Sequence, residues 1–339
     1  MAAVCAERHG VVVEVADVAA WAAAEVAAGH AGGFGAVVFN SCFGNMHSPR
    51  AALAAACSAA SPRGGRVVIS HPLGRAFVER LRAEDPSVVP HALPADAAEL
   101  GALAEGLPLR LMQLSDEPPA EAPAPASPGF YCVVFEQHVP STLAQVLLMR
   151  GEVSRGYGRG SAQLGVPTAN LREDEFAGAL AAVPAGVYCG WAAVEGAAER
   201  GGPAIHRAVV NVGYSPTFAG AENACKIVEA HLMAEEGRGF AADFYGRPMR
   251  LLLCAFLRPE HKFGSFPLLV GAINKDISES ARILAEEPCA AFARDPFLQM
   301  ALASDGTVGL MGGKQFKQGA LFKAVDFELA RSMAAMQSE

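Results

Sequence analysis

The stretch Arg150–Leu171, RGEVSRGYGRGSAQLGVPTANL, decides how this chain is read. It joins a glycine-rich turn, Gly156, Gly158 and Gly160, to the tetrapeptide Pro167-Thr168-Ala169-Asn170. Glycines let a backbone come close to phosphate oxygens and turn N–H groups toward them. Thr168 and Asn170 bring neutral oxygen donors, which suit a hard cation such as Mg²⁺. One residue separates them, and in extended backbone residues i and i+2 point to the same face. Pro167 fixes the approach to that segment. On its own the stretch also reads as an ordinary Gly/Pro-rich hairpin, with Thr168 bonded to its own turn. As a phosphate cradle beside a cation site, it points to chemistry on a nucleotide.

Five further motifs follow in order: Gly186-Val187-Tyr188; Val209–Phe218, VVNVGYSPTF; Val228–Met233, VEAHLM; Asp243–Gly246, DFYG; and Leu257–Phe263, LRPEHKF. A helical segment over Ser265–Leu284 comes after them. Together with the opening stretch they resemble the riboflavin kinase family, which makes flavin mononucleotide from riboflavin and ATP. The resemblance runs from about Leu148 to Leu284. One glycine-rich loop is weak support; an ordered series of motifs is strong.

The resemblance implies an ATP:riboflavin 5′-phosphotransferase on an all-β, six-stranded Greek-key barrel closed by helices. Glu229 is then the catalytic acceptor of the hydroxyl proton, with Glu222 as its nearest rival. Without the resemblance, Glu229 is equally a solvated strand-end carboxylate. The nucleotide side comprises Gly156, Arg159, Gly160, Thr168, Asn170, Leu232 and Tyr245. Thr168 and Asn170 also hold Mg²⁺ or another divalent cation. The flavin side comprises Arg258, His261 and Phe263. Phe263 either stacks on the isoalloxazine or packs in the core. Tyr157 and Tyr188 are expected to pack the barrel.

Two positions depart from the family pattern. Ala162 stands where many relatives carry a cation that contacts phosphate, and His261 stands where they often have Lys. Arg159 either compensates for Ala162 or is a solvated loop charge. The departures leave a second reading open, a flavin- or nucleotide-binding module without catalysis. No H-x-G-H motif occurs, so FAD synthesis is not expected.

The 339 residues allow two domains of ordinary size, and 52% hydrophobic content supplies real cores. The net charge of −8 argues against a general nucleic-acid surface. Eight scattered cysteines without a C-x-x-C pair read as reduced thiols rather than a disulfide or zinc framework. No membrane span or secretory signal is visible, so a cytoplasmic setting is expected, with an organelle as the alternative. The expected partners are the two small substrates, with no nucleic acid and no membrane.

Residues 1–139 read as an α/β domain. Ala36–Asn40 and Arg66–His71 are strand-like, Ala51–Ala60 and Arg75–Glu84 helix-like, and Leu109–Ser115 and Tyr131–Phe135 are further apolar runs. Pro118–Gly129 lies between the last two runs, as an interdomain linker or as the long loop of a hairpin; the hairpin is preferred. Pro62–Ser70 and its surroundings resemble the later half of a class I methyltransferase, an incomplete Rossmann-like fold that closes with such a hairpin. A third functional reading, a methyltransferase-like protein with a flavokinase appendage, follows from this. The glycine-rich S-adenosylmethionine loop is not found: Gly32-Gly33-Phe34-Gly35 precedes a strand instead of following one. Asp17 is a ribose ligand or a helix cap, the cap being preferred. His47, His71 and His91 match no ligand spacing and are read as surface or turn residues.

Residues 140–287 form the kinase domain, with strands at Gly186–Val194, Ala208–Val212 and Arg250–Leu257 and a helix over Phe266–Leu284. Residues 288–339 form a tail with a glycine-rich Gly306–Gly313 and an amphipathic helix expected over Phe322–Met336.

Overall fold

The computed structural model describes residues 17–117, 129–154, 168–171, 173–199, 202–214, 226–233, 244–299, 314–315 and 321–335. The chain divides into two compact units, residues 1–139 with 263–272 and residues 140–262 with 273–339.

In the first unit, helix α1 (Val18–Ala27) starts at Asp17, whose carboxylate accepts from the backbone N–H groups of Ala19 and Ala20. Asp17 is thus a helix cap. Strands β1 (Ala36–Asn40) and β2 (Arg63–His71) run parallel, in register from Ala36↔Arg66 to Asn40↔Ser70. Between them lies α2 (Pro49–Ala59), capped by Ser48 and begun by a proline whose missing N–H is needed by no partner there. Helices α3 (Gly74–Glu84) and α4 (Ala97–Leu103) follow, the latter capped by Asp96.

Strands β3 (Leu109–Glu117) and β4 (Phe130–His138) pair antiparallel from Leu109↔Gln137 to Glu117↔Phe130. Pro118–Gly129 therefore joins the two strands of a hairpin. The sheet order is β1-β2-β4-β3. Its core holds Phe39, Leu53, Val67, Ile69, Leu109, Val133 and Phe135. His47 is exposed, but His71 is buried, and its Nδ1 accepts from the Leu73 N–H at 3.2 Å. The expectation of a surface or turn residue holds for His71 only in the turn. The three histidines form no group of metal-ligating atoms among the described residues.

The second unit is built on antiparallel strands. They are β5 (Ser141–Ser154), β6 (Ala169–Leu171), β7 (Gly186–Glu199), β8 (Gly202–Gly213), β9 (Ile227–Leu232) and β10 (Pro248–Pro259). The sheet runs β10-β7-β8-β9-β6-β5, and a further β10–β5 pairing closes these six strands on themselves. Inside the ring lie Met149, Leu171, Tyr188, Val210, Val228, Leu232 and Leu251 among others. Tyr188 donates its hydroxyl to the Pro184 carbonyl at 2.6 Å, a packing role as expected. Close approach is needed where β7 crosses β10: a Cβ on Gly190 would fall 1.8 Å from the Leu252 carbonyl oxygen. Helix α5 (Glu173–Leu180) follows β6, and helix α6 (Phe266–Ile283) follows β10.

The tail is part of this unit. A 3₁₀ turn (Cys289–Arg294) and a short helix α7 (Pro296–Gln299) cover the outside of the ring. They bury Cys289, Phe292, Phe297 and Leu298 against Trp191, Cys254 and Leu257. The Trp191 indole N–H donates to the Cys289 carbonyl at 2.9 Å. The helix expected over Phe322–Met336 is corrected at its start. Leu321–Asp326 forms strand β12, paired antiparallel with β5, and β11 (Lys314–Gln315) pairs with β12. Helix α8 (Phe327–Ala335) begins only where Asp326 accepts from the Glu328 N–H at 3.1 Å. The open edge of β5 overrides the helical spacing of Phe322–Asp326, because pairing there satisfies backbone groups on both strands. Among the described residues the sheet therefore holds eight strands, of which six close the ring.

Candidate active site

Side chains alternate between the two faces of a strand. On β6, β9 and β8 the core takes Ala169, Leu171, Val228, Ala230, Val210 and Val212. The residues between them, Asn170, Glu229 and Asn211, therefore belong to the outer face. Asn170 stands opposite Glu229 across β6–β9, and Asn211 stands opposite Glu229 across β8–β9. The three make one polar row with the carboxylate in the middle.

Thr168 joins this row. Its hydroxyl donates to Glu229 Oε1 at 2.7 Å, across 61 positions of sequence. Asn170 is buried, and its Oδ1 has no hydrogen-bond partner among the described residues. A buried acceptor left without a partner is costly, and in a native protein it marks a place where a ligand or ion completes the bonding. The Asn170 carbonyl accepts from the Ser154 hydroxyl at 3.2 Å, which ties β6 to the end of β5. Thr168 Oγ1, Asn170 Oδ1 and the Glu229 carboxylate offer only oxygen donors, so the set suits Mg²⁺ or a similar hard cation.

Two features hold β6 and β9 in place. Their three-residue register from Ala169↔Ala230 to Leu171↔Val228 is short. It is supported by Lys226, at the approach to β9. The buried Lys226 ammonium donates to the carbonyls of Leu180 and Ala181 at 3.1 and 3.3 Å, and to that of Val183. A cation at the end of α5 satisfies carbonyls that the helix leaves open and meets the negative end of its dipole. The sequence reading missed Lys226, since a lone lysine before an apolar strand carries no signal of its own.

The other expected residues divide. Gly156, Arg159 and Gly160 lie outside the described residues, as do Tyr157, Ala162, Pro167 and Glu222. Leu232 is buried in the core, which leaves its backbone for any outward contact. Tyr245 is exposed in the turn before β10. His261 and Phe263, in the segment after β10, are both partly buried.

Arg258, expected on the flavin side, pairs with Asp276. Its Nε lies 3.1 and 3.0 Å from the two Asp276 carboxylate oxygens, and its Nη2 lies 2.7 Å from Oδ2. Its Nη1 donates to the Pro259 carbonyl at 3.0 Å. Both partners of the pair are buried. The pair fastens α6 to β10.

Asn211 and Glu260 were also missed. Asn211 Nδ2 donates to Glu260 Oε1 at 3.0 Å, and the Tyr214 N–H donates to Oε2 at 3.3 Å. The alternation Val210-Asn211-Val212 could have flagged Asn211, as a polar residue on the face opposite the core.

Comparison with known proteins shows the family. The family model Flavokinase (riboflavin kinase) matches residues 143–284. The riboflavin kinase of Homo sapiens is 37% identical over 151 residues, 44% of this chain and 89% of that protein. The chain belongs to the riboflavin kinase family. The mouse (Mus musculus) riboflavin kinase is 39% identical over 135 residues, 40% of this chain and 79% of that protein. The bifunctional riboflavin kinase/FMN phosphatase of Arabidopsis thaliana is 38% identical over 148 residues, 44% of this chain and 36% of that protein. The riboflavin kinase match thus covers β5 to α6 and every expected site residue. No helix among the described residues is long and apolar enough to cross a membrane.

Proposed function

We propose that this chain carries out ATP:riboflavin phosphotransfer at the Thr168–Asn170–Glu229 row. It transfers the γ-phosphate of ATP to the ribityl 5′-hydroxyl of riboflavin, giving flavin mononucleotide and ADP. The observation that carries the assignment is the bond from Thr168 to Glu229 beside the buried Asn170 Oδ1, which has no partner among the described residues.

Phosphoryl transfer passes through a loose transition state, so alignment and charge neutralisation dominate. Glu229 accepts the proton of the attacking hydroxyl as the bond to phosphorus forms. Thr168 turns one carboxylate oxygen toward itself and so sets the direction of the other. A positioned base of this kind accelerates transfer by roughly 10²–10⁴-fold. Thr168 and Asn170 would hold the divalent cation, which when bound supplies positive charge to the phosphate oxygens. Gly156, Arg159 and Gly160 are assigned to the nucleotide phosphates, Leu232 and Tyr245 to the nucleotide, and His261 and Phe263 to the flavin. The closed ring is read as the Greek-key barrel of the family.

The first unit is read as the later half of a class I methyltransferase-like sheet, with the domain boundary between residues 139 and 140. Support comes from a parallel pair followed by an antiparallel hairpin whose last strand lies inside the sheet. Calorimetry with S-adenosylmethionine is expected to give no heat of binding.

Incubation with riboflavin, ATP and Mg²⁺ followed by chromatography tests the main assignment. Flavin mononucleotide and ADP should form in equal amounts, without FAD. Riboflavin binding with no product would overturn it.

A further inference from the structure

Asn211 and Glu260 are polar groups of the outer face that the phosphotransfer chemistry leaves unused. The order along the row is Asn170, Glu229, Asn211. Directly opposed residues on antiparallel strands have Cβ atoms roughly 4.5–5.5 Å apart, so Asn211 is an immediate neighbour of the base. Thr168 and Asn170, assigned to phosphate and cation, lie on one flank of Glu229 only. The attacking hydroxyl must sit between Glu229 and phosphorus, in line with the bond that breaks. The rest of its chain then leaves over the other flank, where Asn211 stands.

The Asn211 amide is held in one orientation. Its bond to Glu260 uses one of two Nδ2 hydrogens and, among the described residues, leaves the second N–H and the carbonyl oxygen. A donor and an acceptor side by side match the hydroxyls of a neutral polyol, each of which can accept and donate. Glu260 is gripped in turn by the Tyr214 N–H. It also lies against Gly213, where a Cβ would fall 2.0 Å from the carboxylate. Only a glycine at that position lets the carboxylate reach Asn211.

We propose that Asn211 reads the hydroxyl-bearing chain of the flavin acceptor, and that Glu260 is a positioning residue that holds the Asn211 amide for it. The proposal rests on the phosphotransfer assignment above and names the acceptor side of the same site.

Steady-state kinetics on the full chain test it. Asn211→Ala should raise the riboflavin KM about tenfold and leave the ATP KM within about twofold, as loss of substrate hydrogen bonds without loss of the nucleotide site requires. Asn211→Ser, which keeps one hydroxyl, should restore part of the loss. Gly213→Ala pushes the Glu260 carboxylate aside without touching either polar residue, and should give the same split at about threefold. Combined with Asn211→Ala it should add nothing further, because Glu260 acts through Asn211. An unchanged riboflavin KM in Asn211→Ala, or a rise confined to ATP, overturns the proposal. If Asn211→Ala no longer binds ADP by calorimetry, Gly213→Ala decides, and an unchanged riboflavin KM there overturns it. Turnover that survives Glu229→Gln would instead sink the phosphotransfer assignment, whatever Asn211 does.

Discussion

On β5, β10 and β7, Arg150 and Arg250 share the carboxylate of Glu195; on β6, β9 and β8, Asn170, Glu229 and Asn211 set a carboxylate between neutral neighbours. Both rows cross neighbouring strands of the same ring. In the first, Arg150 Nε and Nη2 lie 2.7 and 2.8 Å from the two Glu195 oxygens, and Arg250 Nε lies 2.7 Å from Oε1. Arg250 Nη1 also donates to the Phe297 carbonyl in the tail at 3.1 Å. All three side chains are nearly sealed from solvent. In the second, Glu229 takes its hydrogen bond from a hydroxyl, and no cation pairs with it among the described residues. A charge compensated inside the protein has little left for a substrate. A carboxylate that takes its bond from a hydroxyl stays open to a substrate, and the Asn170 oxygen beside it, without a partner among the described residues, keeps a place for an ion.

Glu229→Gln strikes the functional row hardest. Turnover should fall by roughly 10²–10⁴-fold while riboflavin binding, read by flavin fluorescence quenching, stays nearly intact. Lost binding with normal turnover per bound substrate would assign Glu229 to recognition instead.

Glu195→Ala strikes the structural row. It leaves two buried guanidinium groups uncompensated, which costs about 3–5 kcal/mol. The melting temperature should drop sharply, while kcat measured well below the transition stays close to that of the parent chain. A catalytic defect without a stability defect would erase the contrast between the rows.

Asn170→Ala should raise the Mg²⁺ concentration needed for half-maximal rate by about ten- to a hundredfold, as expected for a lost contact to a charged group. Chelation should abolish product formation in the parent chain. An unchanged Mg²⁺ profile would remove Asn170 from the cation side.

The smallest effect is on pH dependence. Burial pushes the Glu195 carboxyl up, but the hydrogen bonds and charges of Arg150 and Arg250 outweigh it and hold the group below the usual carboxylate range. A lowered folded-state value stabilises the protein above the unfolded value, about 4.3 for Glu, and that stability is lost as pH falls through the folded one. Urea midpoints should therefore decline below about pH 4.3 in the parent chain, and less steeply in Glu195→Gln.

Local rules and motif order made much of this legible. The i, i+2 spacing put Thr168 and Asn170 on one side of a strand, and the motif series led to Glu229. Partners brought together by the fold were not legible. The motif places Arg258 on the flavin side and gives no sign of Asp276, which, 18 residues on, lies one side chain away once α6 folds back. Lys226 gains its role only when α5 ends beside it. Phe322–Asp326 has helical spacing, and only the open edge of β5 makes it a strand. The same blindness hid Asn211, whose significance depends on Glu229 being its neighbour across the ladder.

The pairing of β12 with β5 bears on how the catalytic part should be produced in the laboratory. A fragment trimmed to the end of the family match at residue 284 lacks β12 and the Phe297 carbonyl. It would present the bare β5 edge, Gln145–Arg150, as a template for another molecule. Such a shortened protein is expected to precipitate on concentration, and extending it through residue 335 should keep it monodisperse.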